Sequence, residues 1–406
     1  MTTMPMKPDI PKRLKRLHVH ASQGSAGQLA RESQFVFGYR TEDPACEISL
    51  TMPLRAETYA SNLLPGVLRQ NLPEGYLLDW IHARFSKTMK MDDFNLLALV
   101  GADTIGRVSV NIDEDPTAPM QPEDLSALLA WKGSEGLFDH LAQKYAATSG
   151  ISGVQPKVLI PAAYDGKETV DKGHMKDRKL IVKASGADYE ELAENEYHCM
   201  AMARLAGIEV PRFWLSENRE VFVIERFDID ASVDADRYLG FEDMTALTGK
   251  QNREKYDSSY ENIAKAIDLF ASAIHKSSSL MAFFQSLCLS VAVRNGDAHL
   301  KNFGLLYTTP QTSDVRLSPL YDVVCTTAYL PRDTPALKMN KAKTWPTRAQ
   351  LIEFGKAHCQ LDRPQEIIDR IVDVVRSYVP DIAPGPIWAR MHPEMEKGAI
   401  SISAPA

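Results

Sequence analysis

None of the five cysteines (Cys46, Cys199, Cys288, Cys325 and Cys359) stands in a CxxC pair, and their number is odd. That excludes a zinc ribbon or a disulfide framework as the organising principle. Each reads as a small buried hydrophobe in a reducing compartment. No stretch approaches 18 uninterrupted apolar residues, and the N-terminus carries charge without an apolar core, so the expected location is the cytosol, without membrane contact. There is no internal repeat, no low-complexity tract and no GxxxxGK[ST] phosphate loop. Excess positive charge is also missing: the net charge is −7, which argues against a protein that coats nucleic acid. One local basic cluster, Lys7, Lys12, Arg13, Lys15 and Arg16, reads as a solvated tail over residues 1–16.

What is present is ordinary globular composition, 44% hydrophobic and 24% charged, over 406 residues, enough for two or three domains. Short apolar runs between 17 and 52 (LHVHA, FVFGY, EISLTM), broken by Gly, Asp and Pro, predict antiparallel strands. A helical stretch after Asn62 ends in GYLLDWIHARF. A second helix follows in DDFNLLALVG, with Asp92 and Asp93 at its start, and RVSVNI closes a β-rich unit over 17–120. The acidic, proline-rich DEDPTAPMQPED (113–124) marks the boundary.

Residues 121–240 read as one helix around 123–146, a glycine segment, a strand, a long charged connection and the strand LIVKA. A helix over 188–207 and a strand pair ending in EVFVIERFDID complete the region. From 241 to 406 helices dominate, with short strands near 303 and 315. The expected fold class is α+β: a small N-terminal β-rich domain, then a two-lobed, kinase-like domain whose C-terminal lobe is helical.

Phosphoryl transfer requires a cradle for phosphates, oxygen ligands for Mg²⁺ and a group that orients the attacking hydroxyl. In NGDAHLKN, Asp297 precedes Asn302 by five residues, the Asp-to-Asn spacing of the protein-kinase catalytic loop. Asp297 would align the acceptor hydroxyl, and the Asn302 carbonyl oxygen would bind metal. His299 would hydrogen-bond a phosphate or hold the loop in shape. Asn-Gly-Asp is also an ordinary turn, so the motif gains weight from Asp322, twenty residues beyond Asn302, at the far side of a predicted hairpin. One Asn, one Asp and nucleotide phosphates suffice for Mg²⁺.

Lys183 lies in an apolar strand where an unpaired ammonium is costly, or else it snorkels out at the strand end. Glu196 falls in the apolar stripe Leu192, Cys199 and Ala203 of the next helix and is the candidate partner, with Glu194 and Asn195 close enough to compete. In SGISGVQPK, Gly150 and Gly153 would let backbone amides approach phosphates, and Lys157 adds charge; the same glycines also suit a plain turn. Glu225-Arg226-Phe227 ends a strand as either a solvated terminus or a hinge against adenine.

Taken in order, GVQPK (153–157), ENEYHCM (194–200), VIERFD (223–228), EDM (242–244), NGDAHLKNF (295–303) and YDVV (321–324) resemble the HipA-like serine/threonine kinases, toxins of bacterial toxin–antitoxin systems. GYLLDWI and DDFNLLALVGADTIG resemble the N-terminal domain of that family. The resemblance covers nearly the whole chain. It implies ATP and Mg²⁺ as cofactors and phosphorylation of a protein serine, with aminoacyl-tRNA synthetases among the family's targets. The usual partner is a helix-turn-helix antitoxin, so DNA would be contacted only through it. The resemblance makes Asp297 the catalytic aspartate and places Asn302 and Asp322 on Mg²⁺. Lys183 would contact ATP phosphates, and Glu225, Arg226 and Phe227 would form the adenine hinge. Gly150, Ser152, Gly153, Val154 and Lys157 belong to the ATP loop.

The family often carries two loop serines flanking a hydrophobic residue, whose phosphorylation inactivates the kinase. Here the triplet is Gly150-Ile151-Ser152, with Ser149 one position out of register. Ser152 is therefore the expected autophosphorylation site and Ser149 the alternative. Two other readings are a non-catalytic scaffold that holds an antitoxin, disfavoured because Lys183, Asp297, Asn302 and Asp322 are all present, and a small-molecule phosphotransferase.

Overall fold

The computed structural model describes residues 10–11, 13–113, 123–131, 137–146, 149–153, 155–163, 178–186, 188–230 and 237–405. Val154 and the charged connection between the two lysine-bearing strands lie outside the described residues. The chain divides into two compact units. The first comprises Met1–Gly186, Trp214–Glu242 and Tyr307–Thr312; the second comprises Ala187–Phe213, Asp243–Leu306 and Ser313–Ala406.

The first unit opens with an antiparallel sheet in the order β4-β3-β2-β1-β6. Its strands are β1 (Arg16–Ala21), β2 (Gly24–Arg31), β3 (Phe35–Tyr39), β4 (Tyr59–Ser61) and, further along, β6 (Val108–Asn111). In β1, alternation buries Leu17, Val19 and Ala21 on one face, as the period of two requires. Between β4 and β6 run α1 (Gly66–Arg69), α2 (Gly75–Phe85), α3 (Asp93–Val100) and the two-residue β5 (Asp103–Thr104). Helix α3 starts where the sequence predicts. The Asp92 carboxylate caps it by accepting from Asn95 N at 3.0 Å, and it also pairs with Arg31 at 2.8 Å.

EISLTM is not a strand. Glu47 and Ser49 within it are buried and used: Glu47 Oε1 accepts from Leu54 N at 2.6 Å, and Glu47 Oε2 accepts from Gln311 Nε2 at 2.6 Å. Alternation cannot reveal a segment whose inward groups are hydrogen-bonded rather than apolar. The single helix predicted over 123–146 is also corrected. Among the described residues there is β7 (Glu123–Asp124), then α4 (Leu125–Leu129) capped by Asp124, then a separate α5 (Leu137–Tyr145).

The second sheet of this unit has the order β11-β12-β10-β9-β7, with β9 (Lys157–Ala163), β10 (Arg178–Ala184), β11 (Phe213–Leu215) and β12 (Val221–Glu225). Preceding it, β8 (Ser149–Gly150) pairs in parallel with β5. A Cβ on Gly150 would meet Thr104 Cγ2 at 2.6 Å and the Val100 carbonyl at 3.0 Å, so close packing against the N-terminal part requires glycine there. The short β13 (Ile229–Asp230), β14 (Arg237–Tyr238) and β15 (Gly240–Asp243) follow.

Two buried polar groups tie this unit together. The Arg226 side chain donates to Asp228 (Nη2–Oδ2 2.6 Å), to Asp103 (Nη1–Oδ1 2.9 Å) and to the Thr104 carbonyl (2.6 Å). Burial opposes its charge, but the two carboxylates more than offset that and raise its pKa. Glu242, fully buried, accepts from Ser49 Oγ (2.6 Å), Leu50 N (2.7 Å) and the Tyr307 hydroxyl (2.7 Å).

The second unit contains α6 (Leu192–Leu205), α7 (Met244–Leu247), α8 (Tyr260–Phe270), α9 (Lys276–Ala292), α10 (Arg348–Ala357), α11 (Pro364–Ser377) and α12 (Pro386–Ile402). It also holds β17 (Arg316–Leu317) and all but the last residue of β16 (Gly304–Tyr307), a short hairpin in which Leu305 pairs with Leu317. Helix α9 is buried along most of its length and is the axis of the helical core. Among the described residues no helix is long and apolar enough to cross a membrane.

Replacing Arg226 by Ala leaves Asp228 buried without its cation. The expected loss is about 3–5 kcal/mol of stability, read as a fall in the denaturant midpoint of the first unit's transition.

Candidate active site

The catalytic-loop candidates lie in the second unit, between α9 and β16. Asn295 is buried, and its Oδ1 accepts from Asp297 N at 3.0 Å, so Asn-Gly-Asp is indeed a turn. That turn presents Asp297, half-buried, whose Oδ1 accepts from the Tyr256 hydroxyl at 2.7 Å. Asn302 sits at the end of the short helical turn Leu300–Asn302. Its Oδ1 accepts from His299 N at 2.9 Å, and its Nδ2 donates to Asp322 Oδ2 at 3.0 Å. Asp322 occupies the left-handed region at φ 61, a conformation that costs a non-glycine residue on the order of 1–3 kcal/mol.

Asn302 and Asp322 are therefore adjacent, and an amide oxygen with a carboxylate is the hard donor set that suits Mg²⁺. The amide oxygen retains a second lone pair beyond the one given to His299 N. Among the described residues no group of three or more His, Cys, Asp or Glu side chains is placed to hold a metal. A cation here would draw its remaining ligands from phosphate and water.

His299 is buried, and burial first, then the Lys255 ammonium, push its pKa down to about 3. Its ring packs edge-on against Tyr256 with centroids 5.0 Å apart. The other cation of the motif, Lys301, pairs with the buried Asp243 at 3.2 Å. Asp243 also caps α7 by accepting from Ala246 N at 2.9 Å.

Sequence reasoning missed how the segment after Asp322 is fixed. Asn195 on α6 clamps the Cys325 peptide at both ends, Cys325 N to Oδ1 at 2.7 Å and Nδ2 to Cys325 O at 3.1 Å. Thr326 Oγ1 accepts from Gly296 N at 2.8 Å and donates to Asp333 Oδ2 at 2.5 Å. A Cβ on Gly296 would meet that Asp333 oxygen at 2.1 Å, so glycine is needed beside the turn. Glu194 Oε1 accepts from Gly385 N at 2.6 Å and lies 3.3 Å from His198 Nε2. Glu194 and Asn195 thus have structural duties, and Glu196 beside them is fully buried.

The nucleotide-loop candidates lie in the first unit. Lys157 on β9 and Lys183 on β10 are direct cross-strand partners, and both are buried, at 5% and 4% exposure. Residues directly opposite share a face of the sheet, and like charges there are destabilising unless an anion compensates. The Lys183 ammonium stands 5.9 Å from the centre of the Phe222 ring. Gly153 has φ +137, and a Cβ there would lie 2.3 Å from Lys157 Nζ, so the loop gives way to that ammonium. Ser149 is buried, donating to Tyr145 O (2.8 Å) and accepting from Leu159 N (3.1 Å). Ser152 is half-buried and donates to Glu74 Oε1 at 2.8 Å. In the hinge candidate, the Arg226 side chain is taken by the ion pairs described above. Phe227 packs edge-on against Phe241 at 5.2 Å, and Glu225 is half-buried.

An α+β fold with an N-terminal antiparallel sheet, a lysine-bearing sheet and a helical region carrying an Asp–Asn–Asp set defines a protein of the kinase-fold class. The HipA N-terminal domain profile matches residues 17–111, and the HipA-like C-terminal domain profile matches 149–379, more than half of the chain. The chain belongs to the HipA-like family. It is similar to a protein of Sinorhizobium fredii provisionally named a kinase, Y4dM (28% identity, 70% of this chain, 66% of that protein). A provisionally named kinase of Haemophilus influenzae is 31% identical over 44% of this chain and 53% of its own length. The matches thus span just under two thirds and about half of these two relatives. Among solved structures, the chain is similar to one described as the Shewanella oneidensis HipA, HipB and operator DNA complex. The TM-score is 0.69 at 19% identity, with 95% of this chain and 96% of that one covered, which shows a shared fold.

Thr326→Val removes the hydroxyl that joins Gly296 to Asp333 and should destabilise the protein by about 1–3 kcal/mol. The double variant with Asp333→Asn should cost less than the sum of the two singles, measured by thermal or denaturant unfolding; simple additivity would show the contact to be inert.

Proposed function

We propose that this chain is an ATP- and Mg²⁺-dependent serine/threonine protein kinase, the toxin half of a toxin–antitoxin pair. The observation that carries the reading is the contact of Asn302 with Asp322 beside Asp297, all within one unit. In this scheme the acceptor oxygen attacks the γ-phosphorus as the bond to the ADP oxygen breaks. The acceptor's proton is taken by Asp297. Asn302 and Asp322 would hold Mg²⁺, which would supply charge neutralisation on the phosphates. Lys157, Lys183, Glu196, Gly150, Gly153 and Glu225–Phe227 are assigned to ATP on the family resemblance.

For regulation the accessible Ser152 is the better acceptor, since Ser149 is buried and hydrogen-bonded to two main-chain groups. A phosphate on Ser152 would set a dianion against the Glu74 carboxylate and drive the loop away. The partner proposed is a helix-turn-helix antitoxin, by analogy with the Shewanella complex, with DNA reached through it. The substrate class proposed is a cytosolic protein serine, with aminoacyl-tRNA synthetases the family precedent.

Purified, unphosphorylated protein incubated with Mg-ATP should gain a phosphate by intact mass, with the peptide mapping to Ser152. An Asp297→Ala protein should gain none. Absence of both phosphate gain and ATP binding in the wild type would leave the scaffold reading instead, and a phosphate on Ser149 would overturn the regulatory assignment alone.

A further inference from the structure

The base candidate is not held by its own loop alone. Tyr256, forty-one residues earlier in sequence, donates its hydroxyl to Asp297 Oδ1 at 2.7 Å. Several contacts fix the segment that carries it. The Tyr256 ring meets the His299 ring at 5.0 Å and 72°, and the Lys255 ammonium lies 5.5 Å from the Tyr256 ring centre. The Lys255 carbonyl accepts from Leu300 N at 3.2 Å, and the Tyr260 hydroxyl donates to Ala298 O at 3.4 Å. Residues 255–260 therefore run alongside the loop 297–300, and all of them belong to the second unit. Tyr256 nevertheless remains 39% exposed, so its bond to Asp297 is formed at a surface that an incoming polypeptide can reach.

We propose that Tyr256 is the positioning residue for the acceptor base: its hydroxyl fixes the plane of the Asp297 carboxylate so that an acceptor serine or threonine hydroxyl meets an oriented oxygen. The inference rests on the reading of Asp297 as that base. The terminal torsion of an aspartate is soft and two-fold, so a half-buried carboxylate on a turn samples many orientations unless something holds one oxygen. A phenol hydroxyl bonded to an ionised carboxylate belongs to the stronger class of hydrogen bond. Holding one oxygen sets the direction of the other, which raises the fraction of encounters in a reactive geometry. His299 completes the arrangement by giving the tyrosine ring a wall to pack against.

The test uses the full chain, Mg-ATP as the probe, and intact-mass time courses over a range of ATP concentrations. Tyr256→Phe keeps the ring on His299 and removes only the donor. Its saturated rate of phosphate gain should fall about tenfold, while the half-saturating ATP concentration and the melting temperature stay at wild-type values. Tyr256→Leu, which also loses the ring, should be at least as slow. Wild-type rates for the Phe variant with a slow Leu variant would reduce Tyr256 to packing and overturn the proposal. A shift in half-saturating ATP with an unchanged saturated rate would do the same. If the wild type itself gains no phosphate, the kinase reading falls and this proposal falls with it. If only the Phe variant matches wild type, the kinase reading stands alone.

Discussion

The side-chain amide of Asn302 is the join on which the candidate catalytic apparatus depends. Its oxygen is set by His299 N and its nitrogen reaches Asp322. One planar group thereby joins the loop that presents Asp297 to the irregular segment after β17 that presents Asp322. The left-handed backbone of Asp322 is held by this contact and by the anchoring of the residues just after it, with Asn195 gripping Cys325 and Thr326 gripping Gly296. A strained residue persists where its surroundings over-determine it, and that condition is met here by three separate elements.

The chemistry of the set follows from which charges remain available. Lys301 is paired with Asp243, and burial and the nearby Lys255 push the His299 pKa down. In the first unit Lys157 and Lys183 are direct cross-strand partners.

The parts of this site legible in the sequence are those whose geometry is set locally or at a fixed spacing. The five-residue step from Asp297 to Asn302 survives because a turn and a single helical turn span it. Asp322 was legible because a short hairpin returns the chain to its starting point. The Asp92 cap and the apolar strands β9 and β10 were legible for the same reason. Long-range polar contacts were not. Glu242 reaches Ser49 across 193 positions and Arg226 reaches Asp103 across 123, and no periodicity encodes either. Such contacts also explain the misread segments: EISLTM alternates like a strand but buries Glu47 and Ser49 as hydrogen-bonding groups.

The same distinction bears on Arg226, which the sequence offered as either a solvated strand end or part of an adenine hinge. Its guanidinium is fully engaged by Asp228, Asp103 and the Thr104 carbonyl, so its side chain is a bolt between the lysine-bearing sheet and the N-terminal part. Asp228 carries the tie further by accepting from Gly106 N at 2.6 Å. Asp103 and Thr104 form the strand that pairs with Ser149 and Gly150 at the start of the glycine segment. The hinge candidate and the nucleotide-loop candidate are therefore anchored to one two-residue strand of the N-terminal part. In this family member the small N-terminal domain does more than accompany the kinase fold: the residues that hold the loop in register belong to it.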